Sequence, residues 1–316
     1  MSENKESSQK KNAARMRKGV ILIALLLMVL AFSVLSKNFF TLSNIEVIFR
    51  QVAILVVLSF GMTFVISTGG IDLSIGSTVA LVGVLTAFSI KAGFGVLPSS
   101  LVGILTGTVI GLANGIIIAK VNIPPFLVTL GMMSIVRGFA MVITQTFPVP
   151  LLSKRFGKVW SNGMAGPVPT IVLWAVLLLI ITQILYCNTP FGNYVKAVGG
   201  NETAAKYAGV NVDQIKISVY ALNGLIAGIA GCMMVARMNT ARCDVGADLS
   251  MDAITATVLG GTSMFGGKGS IIFTAVGALI LTVLSNGLVM MGVDSNIQTI
   301  LKGIIVILAV SFGEKE

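Results

Sequence analysis

Long apolar runs separated by short polar segments dominate the pattern of this chain. Crossing the hydrocarbon core of a bilayer as an α-helix takes roughly 20 predominantly apolar residues, and most of the runs are close to that length. The pattern predicts an all-α, polytopic membrane protein with about ten transmembrane helices. The eighth run is short and rich in threonine, which favours a half-helix buried within the protein. The runs are Val20–Ser36, Gln51–Thr68, Leu73–Ile90, Ser99–Ala119, Phe126–Thr144, Thr170–Tyr186, Ile215–Val235, Ser250–Ser263, Ile271–Met290 and Ile297–Phe312.

The composition agrees with this pattern and excludes several classes of enzyme. Hydrophobic residues make up 55% of the chain and charged residues only 11%, against about 25% charged residues in a soluble domain. The chain has no histidine, which excludes Ser-His-Asp triads, histidine general bases and His-ligated zinc or haem. Cys187, Cys232 and Cys243 have no metal-site spacing, and we expect them to be small buried apolar side chains. No catalytic residue and no metal site are predicted.

The chain has a net charge of +10, and much of it lies at the beginning of the chain. Residues 1–18 carry six Lys or Arg side chains and two Glu side chains. Because a long apolar run follows directly, we interpret this segment as a cytoplasmic basic tail beside anionic lipid rather than as a nucleic-acid site. Ten spans would then place both termini in the cytoplasm. Beyond the tail the basic residues divide almost evenly between the two sides, so they add little to this orientation.

A polar loop at 188–214 interrupts the apolar pattern on the predicted cytoplasmic side. Within it, Glu202–Ala208 consists mainly of helix-forming residues, preceded by Asn201 as an N-cap and followed by Gly209 as a C-terminal glycine. This arrangement predicts a short exposed helix of about two turns. The helix is either a simple connector or a docking element for another protein.

Two segments of the chain resemble each other. GIDLSIGSTVAL at Gly70–Leu81 is similar to GADLSMDAITAT at Gly246–Thr257, and the pairs Asn114–Gly115 and Asn286–Gly287 follow in nearly the same register. The two segments would begin spans of opposite direction, which predicts an inverted repeat with halves near 70–140 and 246–312, an arrangement common among transporters. Chance similarity between apolar, glycine-rich segments is the alternative.

Glycines recur at helical spacing in two of the runs. Gly103, Gly107, Gly111 and Gly115 create one smooth face on the fourth span, and Gly224 and Gly228 do the same on the seventh. Such faces favour close helix packing within the subunit, with a dimer seam or a sliding surface as the alternative. The segment Gly260–Ser270, GGTSMFGGKGS, lacks the spacing of a phosphate-binding loop. It therefore predicts a tight turn, and the chain shows no ATP-binding motif of its own.

Few ionisable groups lie within the spans. Arg137 lies near the middle of one, where an ionised side chain costs roughly 2.5–3.5 kcal/mol, so it should either pair with backbone carbonyls or line a hydrated pathway. Asp72 and Asp248 lie at span ends, where carboxylates often accept hydrogen bonds from helix N-terminal N–H groups. Asp72, Asn114 and Arg137 are the candidate residues of a translocation pathway. Because no ladder of carboxylates suggests a proton relay, the solute is neutral and polar or its energy source lies elsewhere.

Four stretches together resemble one known family. They are GGIDLSIGS at Gly69–Ser77, NGIIIAKVNIPPFLVTLGMMSIVRG at Asn114–Gly138, PFGNYVKAVGGNETAAKYAGVNVDQIKI at Pro190–Ile217 and DAITATVLGGTSMFGGKGSI at Asp252–Ile271. In this order they are similar to the permease subunit of ribose-type sugar ABC importers, over about Ile45–Val310. The motifs do not specify the sugar, and permeases for autoinducer-2 share them.

The resemblance implies a single transmembrane permease domain at 19–316 in the bacterial cytoplasmic (inner) membrane. It implies a cytoplasmic double-cassette ATPase that binds ATP and Mg²⁺, an extracytoplasmic solute-binding protein, and a second permease copy or paralogue, with no cofactor in this chain. The coupling helix would use Gly200, Asn201, Glu202, Ala204, Ala205 and Gly209. An ion-coupled secondary transporter, a passive facilitator and a membrane scaffold are the alternatives. The sparse intramembrane charge, the docking loop and the repeat disfavour these three respectively.

Overall fold

The computed structural model describes residue 19 and residues 21–313, so the predicted tail at 1–18 lies outside the described residues. The described residues are mainly α-helical, as predicted. The helices are α1 (Ile21–Leu35), α2 (Leu42–Ser67), α3 (Ile75–Lys91), α4 (Val96–Val121), α5 (Pro125–Thr144), α6 (Lys154–Gly157), α7 (Thr170–Cys187), α8 (Pro190–Gly200), α9 (Glu202–Tyr207), α10 (Val212–Met238), α11 (Leu249–Leu259), α12 (Ile271–Met290) and α13 (Ser295–Gly313). A π-helical turn at Lys158–Asn162 follows α6.

Within residues 21–313, four two-residue strands form two small antiparallel ribbons. β1 (Val149–Pro150) pairs with β4 (Thr240–Ala241), and β2 (Met164–Ala165) pairs with β3 (Val168–Pro169). The first ribbon joins the segment after α5 to the segment after α10. It therefore marks the end of the molecule at which α10 terminates.

Among the described residues, six helices are long and apolar enough to cross a membrane, which makes the protein polytopic: α2, α4, α5, α7, α10 and α12. The same search of the described residues finds three shorter apolar helices, namely α1, α3 and α11. α11 has only 11 residues, about 16 Å at 1.5 Å per residue, which is half of a hydrocarbon core of about 30 Å. Most of α11 is buried, in agreement with the half-helix expected for the eighth run.

The centre of the molecule is built around α10. Its glycine face packs directly on the glycine face of α4, because a Cβ atom at Gly111 would lie 2.8 Å from the Cα atom of Gly224. A Cβ atom at Gly228 would likewise lie 2.8 Å from the Cα atom of Ile104. The two predicted glycine faces therefore cover each other within the subunit, which confirms the packing interpretation over a dimer seam.

Two smaller expectations are corrected by the structure. Cys232 and Cys243 are buried, but Cys187 is exposed because it is the last residue of α7. Asp248 precedes α11, yet its side chain makes no capping hydrogen bond. Its backbone already has helical dihedral angles, whereas a capping side chain typically requires an extended N-cap residue.

Candidate functional site

The segment between α7 and α10 forms two consecutive short helices. Thr189 caps α8 by accepting a hydrogen bond from the amide of Gly192 at 3.3 Å. Asn201 caps α9 in the same way, since its Oδ1 accepts a hydrogen bond from the amide of Ala204 at 2.9 Å. Gly209 has a φ of +86°, the left-handed conformation that favours glycine after a helix. The predicted short helix is confirmed, with its end at Tyr207. Helix α8 was not predicted, because PFGNYVKAVGG contains three glycines and reads as a loop.

The surface of α9 is open to a partner. The predicted coupling residues Gly200, Asn201, Glu202, Ala204 and Gly209 are exposed, and Ala205 is buried. Tyr207 at the end of α9 is 89% exposed. An aromatic ring with so little cover beside small alanine side chains is typical of a contact surface.

Ion pairs connect this surface to the neighbouring spans. Lys216 Nζ in the first turns of α10 lies 2.8 Å from Glu202 Oε1, and Lys120 Nζ at the end of α4 lies 2.7 Å from Asp213 Oδ2. Exposed pairs of this kind contribute little stability. Their value here is geometric, since the first pair fixes α9 against the beginning of α10 and the second fixes the beginning of α10 to the end of α4.

The end of α8 meets the end of α2 and the turn before α12 so closely that no side chain fits between the three backbone segments. The amide of Gly267 donates to the carbonyl oxygen of Ser67 at 3.0 Å. A Cβ atom at Gly199 would overlap that same oxygen and lie 2.7 Å from Gly267 N. Gly266 and Gly267 have φ values of +84° and +77°, so the predicted tight turn in Gly260–Ser270 is confirmed. We call this contact of Ser67, Gly199 and Gly267 the glycine junction.

An aromatic cluster reinforces the glycine junction. The hydroxyl groups of Tyr186 and Ser67 are hydrogen-bonded at 2.8 Å, and the Tyr186 ring meets Phe64 edge-on at 5.3 Å. Phe64 also stacks on Phe191 of α8, with ring centroids 6.0 Å apart. Lys196 Nζ lies 5.2 Å from the centre of the Tyr186 ring. A displacement of α8 therefore has to be transmitted to the ends of α2 and α7.

Asp72 and Asn114 come together in a buried polar network. Asp72 is 1% exposed and lies in the non-helical segment between α2 and α3. Its Oδ1 accepts hydrogen bonds from the amide and the hydroxyl of Ser74, at 2.8 Å and 2.6 Å. Asn223 Nδ2 donates to its Oδ2 at 2.8 Å. Asn114 Nδ2 donates to Ser74 Oγ at 2.9 Å.

Arg137 lies apart from this network. Its guanidinium donates to the carbonyl oxygens of Cys243 and Val245, the latter at 2.9 Å. Two roles were predicted for Arg137, and these hydrogen bonds correspond to the first, pairing with backbone carbonyls. They attach the segment after β4 to α5. In the same segment Arg242 donates to Asp244, with an Nη2–Oδ2 distance of 2.6 Å. This donation lowers the pKa of the Asp244 carboxyl.

The second copy of the repeated motif touches the first. Ser250 Oγ donates to the carbonyl oxygen of Leu73 at 2.8 Å and accepts from Gly76 N at 3.1 Å. Asn286, the counterpart of Asn114, exchanges hydrogen bonds with Asn44 at 2.9 Å in both directions. The partners of Asp72 and Asn286 are distant in sequence, and no local signal identified Asn223 or Asn44.

A polar cavity of about 200 Å³ lies between α2, α10, α11 and α12. Its polar lining consists of Gln51, Arg237, Asp252, Thr282 and Ser285. The predicted seventh run ends at Val235, whereas α10 continues to Met238 and includes Arg237 in its last turn.

Comparison with known proteins identifies the family. Residues 44–310 match the family model described as branched-chain amino acid transport system / permease component. The chain is 40% identical to the ribose import permease protein of Bacillus subtilis (strain 168), over 93% of this chain and 92% of the relative. It is 41% identical to the ribose import permease protein of Escherichia coli (strain K12), over 93% of both. It is 37% identical to the fructose import permease protein of Rhizobium meliloti, over 93% of this chain and 84% of the relative.

No solved structure matches the chain significantly. The family model spans most of the described helices, and the relatives are aligned over nearly their whole length. The chain therefore belongs to this permease family and is a multi-pass inner-membrane permease subunit of an ABC import system.

Proposed function

We propose that this chain forms the translocation route for a monosaccharide in an ATP-driven importer and receives its driving motion through α8 and α9. The observation that carries the proposal is the glycine junction, which connects an exposed helix surface to the end of α2 without intervening side chains. Close identity to ribose and fructose import permeases supports the choice of a monosaccharide. An autoinducer-2 permease of the same architecture is the alternative for the solute.

The proposed architecture is a single permease domain at 19–316 with ten transmembrane helices and an inverted repeat of halves near 70–140 and 246–312. Two contacts support the inversion. α3 begins beside Ser250 and extends to the β1–β4 ribbon, whereas α11 begins at Ser250 and leads into the turn at the glycine junction. The two short helices thus start together and run in opposite directions. With α9 at the cytoplasmic face, both termini are cytoplasmic.

The partners follow from this arrangement. A cytoplasmic ATPase with two cassettes binds ATP and Mg²⁺ and holds α9 in a groove, while an extracytoplasmic binding protein delivers the solute. A second permease copy or paralogue completes the route. Exposed apolar side chains on α4, α5 and α7 support contact with lipid or with this second permease. Nucleic acid is not a partner.

The mechanism converts a domain motion into access. Closure of the cassettes displaces α8 and α9, and the glycine junction transmits the displacement to α2 and to the turn between α11 and α12. The two halves then alternate between outward and inward openings. Asp72 and Asn114 act within the wall of the route and reach the solute only when α4 and α10 move away from α3. Arg137 acts from the outer end by holding the loop before α11.

A bulky substitution on α9 tests the coupling. Ala204 is exposed, so Ala204→Arg leaves the fold intact but places a long side chain in the contact with the ATPase. We expect solute-stimulated ATPase activity and uptake by the reconstituted complex to fall at least tenfold, about 1.4 kcal/mol or more in coupling. The matched control is Ala92→Arg, also exposed and at the far end of α3.

Two results would contradict the proposal. Full uptake and full stimulated ATPase activity in Ala204→Arg would remove α9 from the coupling path. Uphill uptake by the purified chain alone, driven by an ion gradient without ATP, would instead make it a secondary transporter.

A further inference from the structure

The cavity between α2, α10, α11 and α12 has polar groups that the protein leaves available. Within the part of the chain that the structure describes, the side chains of Gln51 and Arg237 and the Ser285 hydroxyl make no hydrogen bond or ion pair. Ser285 is a buried residue, only 8% exposed, and it lines the cavity. Buried polar groups are normally hydrogen-bonded. An unpaired set around one space therefore points to an absent partner.

The lining suits a small, neutral, hydroxyl-rich molecule. The Arg237 guanidinium offers several donors, whereas the Gln51 amide and the Ser285 hydroxyl both donate and accept. Asp252 lines the same space, so the lining carries both signs of charge and does not select an ion of one sign. The remaining lining is aliphatic, from side chains such as Ile54 and Leu281, which suits the C–H face of a sugar ring.

Size and position agree with this chemistry. Pockets for drug-sized ligands occupy roughly 300–1,000 Å³, so a cavity of about 200 Å³ takes a smaller molecule. Arg237 lies in the last turn of α10, and the beginning of the same helix carries the ion pair to α9. The cavity therefore lies toward the end of the molecule opposite the coupling surface, where an imported solute enters.

We propose that this cavity is a monosaccharide-binding subsite within the permease itself, with Arg237, Gln51 and Ser285 as its hydrogen-bonding residues. The inference rests on the proposed function and extends it. The solute released by the binding protein would pause here before the halves change their opening. Selectivity would then be shared between the binding protein and this chain.

Thiol protection tests the subsite directly. In a chain with the exposed Cys187 replaced by serine, Ser285→Cys places a reporter thiol in the cavity, and its alkylation rate is measured in the assembled complex with and without ribose. At ribose concentrations about ten times the Kd, alkylation should slow roughly tenfold. The added substitution Arg237→Met should abolish this protection, and Arg237→Lys should restore part of it. Ser134→Cys, on the exposed surface of α5, is the control and should show no protection.

Each outcome decides the proposal. Protection by ribose that is lost in Arg237→Met supports it. Absence of protection in a complex that imports ribose overturns the subsite but leaves the proposed function standing. A complex that imports no monosaccharide overturns the proposed function as well. Protection by leucine but not by ribose would show a zwitterion site and overturn the assignment to sugars. If neither Ser285→Cys nor Gln51→Cys reacts, the cavity is not reachable and the proposal fails.

Discussion

The two copies of the repeated motif, Gly70–Ser74 and Gly246–Ser250, have similar sequences but opposite environments. In the first copy Asp72 is buried and accepts three hydrogen bonds. In the second copy Asp248 is exposed and makes no capping bond. The difference arises from the neighbours, because Asn223 of α10 reaches only the first copy. A repeated motif therefore predicts a repeated backbone path, but not a repeated role for its carboxylate.

The serines of the two copies differ in the same way. Ser74 serves its own half, since it links Asp72 to Asn114. Ser250 serves the other half, since it bonds to Leu73 and Gly76. The serine of the first copy thus stabilises its own half, whereas the serine of the second copy binds the second half to the first. In a transporter that alternates its opening, such a contact between halves is where relative movement is expected.

The largest contrast is expected between the two aspartates. Asp72→Ala leaves the Ser74 amide, the Ser74 hydroxyl and the Asn223 amide without an acceptor in a buried site, at about 1–3 kcal/mol for each unsatisfied group. Asp248→Ala removes an exposed side chain and should change stability by about 0.5 kcal/mol or less. Thermal unfolding of the two variants in nanodiscs measures the difference. Equal melting temperatures would show that the buried network does not stabilise the first copy.

The contact between the copies gives an intermediate effect. A Cβ atom at Gly76 would overlap the carbonyl oxygen of Gly246 and lie 3.0 Å from Ser250 Oγ, so Gly76→Ala should cost about 1–3 kcal/mol by overpacking. Gly83 in the same helix is the matched control, since its Cβ atom would meet Val235 at an ordinary 3.5 Å. Gly83→Ala should be neutral or stabilising by roughly 0.5–1 kcal/mol. If both variants unfold at the same temperature, the two copies are not in tight contact.

How far the sequence predicts this molecule depends on the range of the interaction. Helix α9 was predictable because its signals, Asn201 and Gly209, lie within one short segment. The glycine faces were predictable because a four-residue spacing fixes a helix face, although their mutual contact was not. The pairing of Asp72 with Asn223 joins residues 151 positions apart, and no local pattern encodes it. The sequence left two roles open for Arg137, because it does not show where the loop after β4 lies. The seventh run was predicted to end at Val235, before Arg237, because helix ends are the least certain boundaries.

The smallest expected effect concerns the loop between β4 and the second copy of the motif. Arg242 lowers the pKa of Asp244 below its ordinary 3.8, so the ionised carboxylate stabilises the folded loop. This contribution is fully present above pH 3.8 and is lost as the pH falls through the lower pKa of the folded state. The protection factors of the amides at 239–248, which compare the measured exchange rate with the intrinsic rate at the same pH, should therefore fall on acidification in that window. Arg242→Gln should show the lower protection factors already at neutral pH and little further change with acid. Because Arg137 holds the carbonyl oxygens of Cys243 and Val245 in either variant, the loop should loosen without leaving α5. Protection factors that are independent of both pH and Arg242 would mean that Arg137 alone fixes the loop before the second copy.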